Sequence, residues 1–342
     1  MKRKYVQPRE EYILFKTLIA SAAIGLALIG NALAAPPDWF PKDSKKPFEE
    51  IVVGFANLGP SLNGYAAAYF KAFNEYAAEL GVKPIMTDAA LDPARQADQV
   101  RDLIAQQVDV MIVWPVNGKA IVPAARQIAQ AGIPLIISNS MIDESGMEAM
   151  TSYTGPDDYA EAQEAGKIMA AALNGKGNIV LLNGTPGYRM AQLRYDGFME
   201  VISKYPDIKV LDSQPADMSQ AKGQTLMENF ITRFGKQIDG VYSVDSGVGF
   251  GALTATRAAI QEGTLEAGKI KFVDATMYGF VWDLIKTGEY YGSVYQSPEE
   301  DARLALRSAL KLAAGEKLKQ FEYLETPGVT KANVDSIARP NF

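Results

Sequence analysis

The sequence predicts an α/β protein built from two doubly wound domains. Three observations carry that prediction. Short β-rich runs alternate with helical patterns, each strand candidate is a nearly continuous apolar run, and the alternation restarts near Tyr153. Continuous apolar runs are expected where helices cover both faces of a parallel sheet. Two successive βαβ series then imply two such sheets with a cleft between them.

The elements follow in order. An extended lead rich in Pro and Lys runs from Pro36 to Phe48. Ile51–Asn57 reads as a strand, and Tyr65–Leu80 as a helix closed by Gly81. Pro84–Asp88 is the next strand; Pro93, at a helical first turn, opens a helix to Gln107. Asp109–Trp114 and Pro134–Asn139 are strands, with the helix Ala120–Ala131 between them. In the second series, helices are expected over Tyr159–Leu173, Met190–Lys204, Gln220–Phe234, Gly249–Glu262 and Tyr278–Lys286, with a last one over Glu299–Ala314. Strands are expected over Asn178–Leu182, Ile208–Ser213, Gly240–Val244, Ile270–Asp274 and Tyr291–Tyr295. The two series repeat in architecture without an obvious match in sequence, and no low-complexity segment interrupts them.

The first 34 residues read as a cleavable signal peptide. Lys2, Arg3 and Lys4 are basic, Thr17–Gly30 is small or apolar, and Ala32 and Ala34 fit a cut before Ala35. The apolar run is short for a transmembrane span. With no cysteine there is neither a lipid-attachment site nor a disulfide. The expected product is a free periplasmic protein, not a lipoprotein. Cleavage takes the 34 basic and 40 acidic residues to 29 and 38, a balance of −9 that argues against nucleic acid or an anionic membrane as partner. Just over 300 residues remain, enough for two ordinary domains.

The absence of histidine and cysteine rules out Ser-His-Asp and Cys-His nucleophile systems and His- or Cys-ligated zinc. A carboxylate-only glycosidase and an oxygen-ligand calcium site stay formally open. Gly247, Gly249 and Gly251 follow a strand, but their spacing is not that of a dinucleotide loop. Asp157-Asp158 reads as a helix cap.

From Ile51 to Leu318 the chain resembles the periplasmic sugar-binding proteins of ABC importers, of the ribose-binding type. The resemblance rests on Leu193-Arg194-Tyr195-Asp196-Gly197-Phe198, an Arg-x-x-Gly-Phe pattern, and on Asp212-Ser213-Gln214-Pro215-Ala216-Asp217. Gly251-Ala252-Leu253, Lys286-Thr287-Gly288-Glu289 leading to Gln296, and Gly315-Glu316-Lys317 add to it in order and spacing. It implies a type I periplasmic binding protein: two flavodoxin-like, Rossmann-like domains joined by a three-strand hinge, with crossings near Thr154, Ser297 and Leu324. The lobes would be 48–154 plus 297–323, and 155–296 plus 324–342. It further implies no enzymatic activity, no cofactor or metal, a monomer, and docking on an inner-membrane permease with a separate ATPase subunit.

On physics alone, polar residues beyond the carboxyl ends of strands are the ligand candidates: Asn57, Asn139, Asp245, Asp274 and Gln296. Planar amides, carboxylates and guanidinium can bridge two vicinal hydroxyls, and an apolar sugar face suits an aromatic wall. The resemblance places its arginine on Arg194, as a bidentate donor, and its second-domain aspartate and hinge glutamine on Asp274 and Gln296. Its asparagine falls on Asp245, its Asp-Arg pair on Asn139-Ser140, and its second-lobe phenylalanine on Met218. Its stacking pair falls on Tyr65 and Ala66, preceded by Asn63; Trp114 offers a replacement wall. Two carboxylates against one guanidinium leave the expected cleft at −1, which disfavours sugar acids and phosphates. The ligand expected is a pentose, hexose or polyol, with Arg194→Ala and Asp274→Ala weakening binding and sparing the fold.

Import is the leading function, by lobe closure around the sugar. The alternative is sensing, in which the closed form docks on a chemoreceptor or sensor kinase. A repressor of this fold would need a helix-turn-helix ahead of the first strand, where this chain has its signal segment. An enzyme would use the Asp245–Asp274 pair as glycosidase carboxylates, for which a binding role is the better reading.

Overall fold

The computed structural model describes residues 36–342; the signal segment and its cut lie outside the described residues. Six strands form the first sheet: β1 (Val53–Asn57), β2 (Ile85–Asp88), β3 (Val110–Val113), β4 (Leu135–Ser138), β5 (Ser152–Gly155) and β11 (Phe321–Tyr323). Their order is β11-β5-β4-β3-β1-β2, all parallel. The second sheet holds β6 (Gly177–Asn183), β7 (Ile208–Pro215), β8 (Gly240–Ser243), β9 (Lys271–Asp274), β10 (Gly292–Val294) and β12 (Gly328–Thr330). It runs β12-β10-β9-β8-β6-β7, parallel except for β12, which lies antiparallel to β10. Without the outer β11 and β12 the two orders are the same flavodoxin-like winding, which reverses at β1/β3 and again at β6/β8.

Each sheet is buried on both faces, as its apolar runs require. In β1, Val53 and Phe55 pack with α1 (Gly64–Glu79) and α9 (Pro298–Ala313) through Phe73 and Leu306. Ala56 faces the opposite core with Val100 of α2 (Pro93–Ala105) and Ile128 of α3 (Val122–Gln130). In β6, Val180 and Leu182 pack towards α6 (Gln220–Phe234), α7 (Ser246–Gln261) and α8 (Gly279–Thr287). Ile179 and Leu181 pack towards α4 (Asp158–Ala172) and α5 (Arg189–Ile202). Among the described residues no helix is long and apolar enough to cross a membrane.

The chain passes between the sheets three times: from β5 into α4, from β10 into α9, and from β11 to β12. At the first passage Gly155 adopts φ 147°, and a Cβ there would lie 2.8 Å from the Cα of Asn139. Glycine is required at that point. At the second passage Ser297 caps α9, accepting from Glu300 N–H at 3.2 Å, with Pro298 in the first turn.

The sequence pattern does not announce β5, β11 or β12. β5 reads Ser-Tyr-Thr-Gly, and β11 and β12 are three residues each. Such segments are strands because a neighbouring strand pairs with them.

Candidate functional site

The carboxyl ends of the two sheets enclose a cavity of about 150 Å³. Ligand sites of open α/β sheets form there, at the points where strand order reverses. Trp114 and Asn139 follow β3 and β4; Asp245, Thr276 and Gln296 follow β8, β9 and β10; all five line it.

One wall is organised by Arg194. In Arg194-x-x-Gly197-Phe198, a Cβ at Gly197 would collide with the backbone carbonyl of Tyr159, so the glycine lets α4 and α5 pack in close contact. Phe198 stacks on Tyr242 with ring centroids 3.8 Å apart. This packing sets Arg194 against the first turn of α4. Its Nε donates to Asp158 at 3.0 Å and its Nη2 to Glu161 at 2.8 Å. Its Nη1 donates to the Val244 carbonyl at 2.8 Å and to Thr276 Oγ1 at 2.9 Å. All three charged groups are buried. Burial opposes the charge on Arg194, but Glu161 and Asp158 overcome it and raise the guanidinium pKa. Gln296 joins the network, donating from Nε2 to Thr276 Oγ1 at 2.7 Å and leaving its own Oε1 buried without a protein partner.

The facing wall carries no cation. Tyr65 OH and Asn139 Nδ2 both donate to Oδ2 of Asp301, at 2.9 and 2.6 Å. Asp301, in the first turn of α9, is fully buried, and burial raises its pKa to about 7 against those two hydrogen bonds. Tyr65 meets Trp114 edge-on at 6.4 Å, and Trp114 Nε1 donates to Ser140 Oγ at 3.3 Å. Phe342 lies between the halves, edge-on to Tyr65 at 5.6 Å and to Tyr278 at 5.2 Å.

Nine of the eleven sequence candidates line the cavity: Asn63, Tyr65, Trp114, Asn139, Ser140, Arg194, Met218, Asp245 and Gln296. Asn63 and Asp245 are also helix N-caps, accepting from Ala66 and Val248 N–H. Burial raises the Asp245 pKa, partly offset by the Val248 bond. Asn57 and Asp274 are not among the lining residues. Asn57 is buried at the end of β1. Asp274 accepts from Ser293 Oγ, and burial raises its pKa to about 8. The chain reaches the cavity two residues later, where Thr276 takes φ 71° and presents its hydroxyl.

One expectation is corrected and one is narrowed to a single residue. Arg194 is not a free bidentate donor, because four of its five N–H groups are committed to protein oxygens. The cap expected of Asp157-Asp158 is made by Asp157, which accepts from Ala160 N–H, while Asp158 pairs with Arg194 and lines the cavity. The sequence reading also passes over Glu161, Thr276, Tyr278 and Asp301. Asp158 and Glu161 carried a signal, since carboxylates three apart share a helix face and this face also buries Ala162 and Ala165.

Residues 53–317 match the model of the periplasmic binding protein domain. The chain belongs to that family. Among relatives of this periplasmic binding protein, the xylitol-binding protein of Mycolicibacterium smegmatis is 33% identical over 265 residues, covering 78% of this chain and 73% of the relative. The galactofuranose-binding protein of Escherichia coli is 30% identical over 259 residues, 75% and 76% of the two chains. A solved structure from Mycobacterium smegmatis in complex with β-D-fucofuranose superposes with a TM-score of 0.75 at 29% identity, covering 84% of this chain and 93% of that one. The fold is that of the type I periplasmic binding proteins, and the curated relatives are solute-binding proteins, not enzymes.

Proposed function

We propose that this protein is the periplasmic solute-binding component of an ABC importer. It captures a neutral monosaccharide or sugar alcohol between its two sheets and delivers it to a membrane permease. The observation that carries the reading is the direction of the hydrogen bonds around the cavity. Arg194 directs its donors at protein oxygens, Gln296 leaves Oε1 without a partner, and Asn139 directs its N–H at Asp301. What is left is mixed: Gln296 Oε1 and the carboxylate oxygens accept, while one N–H each of Arg194, Gln296 and Asn139 and the Thr276 O–H can still donate, and each hydroxyl of a polyol is both donor and acceptor. Tyr65, Trp114, Tyr188 and Tyr278 supply ring surface for C–H faces. A carboxylate or phosphate would instead meet Asp158, Asp217 and Asp245, with Arg194 already held by two carboxylates. The relatives named for xylitol and galactofuranose, and the complex with a fucofuranose, point the same way.

Of the residues proposed as ligand contacts, the nine lining candidates are retained and Asp158, Thr276 and Tyr278 are added. Asn57 and Asp274 act from behind the wall. Three interdomain passages give a hinge, and a ligand that contacts both halves stabilises the closed state. The test is thermal unfolding of residues 35–342 against pentoses, hexoses, their polyols and the corresponding sugar acids. A midpoint shift of several degrees with one neutral compound, and none with the acids, is expected. A flat panel, or a shift with an acid alone, overturns the reading. Deleting the gene should abolish uptake of the same compound; unimpaired uptake would remove the importer role.

A further inference from the structure

We infer that Asp301, which does not itself line the cavity, is a positioning residue that sets the hydrogen-bonding polarity of the first-sheet wall. Its Oδ2 accepts from both Tyr65 OH and Asn139 Nδ2, so Tyr65 meets a ligand only as an acceptor, while Asn139 is fixed by one N–H and keeps its Oδ1 and its second N–H. A tyrosine hydroxyl has one proton, and it points at Asp301; its lone pairs face the other way. An asparagine whose NH₂ is held by a carboxylate has its orientation decided, because an ionised carboxylate only accepts. The Oδ1 of Asn139 and its second N–H are then left for a ligand. At Tyr65 the wall therefore selects for a ligand hydroxyl that donates to it, and Asp301 fixes where the accepting oxygen of Asn139 stands. This inference rests on the sugar or polyol reading and adds which atom of the hydroxyl is recognised.

The geometry has little freedom to relax. Asp301 sits in the first turn of α9, immediately after the second passage between the sheets, with no exposed surface. Its second oxygen, Oδ1, is buried without a partner, so the carboxylate has no competing donor to turn towards. Asn139 is held at φ 59° beside Gly155, and Tyr153 OH donates to its carbonyl at 2.7 Å. The titratable groups that face Asp301 are Tyr65 and Tyr69 from α1, Tyr153 from β5 and Asp158 from α4, with Glu299 and Glu300 on its own helix. None is a cation, so the two neutral donors are what hold the carboxylate in place.

The test uses the full chain from residue 35 at pH 8, where Asp301 is ionised. In the ligand-free protein, the Tyr65 hydroxyl proton and the Asn139 side-chain amide protons should exchange slowly by NMR, and both should exchange fast in Asp301→Leu. Unchanged exchange in that variant overturns the proposal whatever the protein binds. The second arm is calorimetry with xylitol, ribose and galactose and their monodeoxyfluoro derivatives, since fluorine cannot donate. Wild type should lose on the order of tenfold to a hundredfold in affinity at one fluorinated position of the compound it binds. Asp301→Asn, which frees Asn139 to turn its NH₂ inward, should reduce that discrimination at the same position. Discrimination that survives in Asp301→Asn overturns the proposal. If none of these compounds or their derivatives binds wild type, the functional reading fails, and the exchange arm still decides the role of Asp301.

Discussion

The two walls of the cavity solve the same problem by different means. The second-sheet wall buries a guanidinium between two carboxylates and hangs a threonine and a glutamine from it. The first-sheet wall buries a single carboxyl with no cation and steadies it with a phenol and an amide. One wall is rigid through charge, the other through aromatic packing and neutral hydrogen bonds. All the partners of Arg194 come from its own half: α4, β8 and the turn after β9. Separation of the halves would therefore leave this buried ion-pair cluster, the costliest contact to remake, intact.

The largest effect is expected of Arg194→Ala. It leaves Asp158 and Glu161 buried and unpaired, and should cost about 3–5 kcal/mol of stability in denaturant unfolding. That is the reverse of the expectation that this change spares the fold. Restoring most of the loss with Asp158→Asn and Glu161→Gln in the same chain would confirm the charge as the cause; no recovery would point to packing.

The next test is pH. Burial raises Asp274 to about 8 and Asp301 to about 7, so the folded chain keeps protons that the unfolded chain releases above roughly pH 4. Their contribution is fully present below that range and is lost as pH rises through 7 and 8. The unfolding midpoint should therefore climb as pH falls from 9 to 6, and Asp274→Asn should flatten the upper part of the slope. A midpoint that rises with pH would refute this.

Smaller still is Tyr65→Phe, which removes one of the two donors to Asp301. It should cost about 1–3 kcal/mol by urea unfolding at pH 8 and less at pH 5, where the carboxyl is protonated. The mildest change is Phe342→Ala, which removes an edge-on ring contact to Tyr65 of the other half and one to Tyr278 of its own. A loss of about 1 kcal/mol is expected at most, with binding affinity moving more than stability.

Legibility differed between the walls in the same way. Apolar runs and helix punctuation place the main strands and helices, because those signals are local: Pro93 does sit in a first turn. Arg194 is legible only through the Arg-x-x-Gly-Phe resemblance, whose glycine the structure explains: Gly197 lets one helix touch another. Its carboxylate partners were missed because adjacent aspartates at 157 and 158 look alike until the helix start is fixed. The sequence points to Asp274 and not to Thr276 because a threonine at positive φ is not written in any local pattern. Asp301 lies 162 residues from Asn139 in sequence, and only the return of the chain to the first sheet brings the two together.

That return has a consequence for the order of events during synthesis. α9 and β11 belong to the first sheet, yet a ribosome makes them only after β6 to β10 of the second sheet. Contacts so distant in sequence form late and slowly. The half whose synthesis starts first is thus the one whose Tyr65–Asn139–Asp301 cluster waits almost for the end of the chain, so a nascent or partly emerged polypeptide lacks the closed set of contacts that would lock it prematurely.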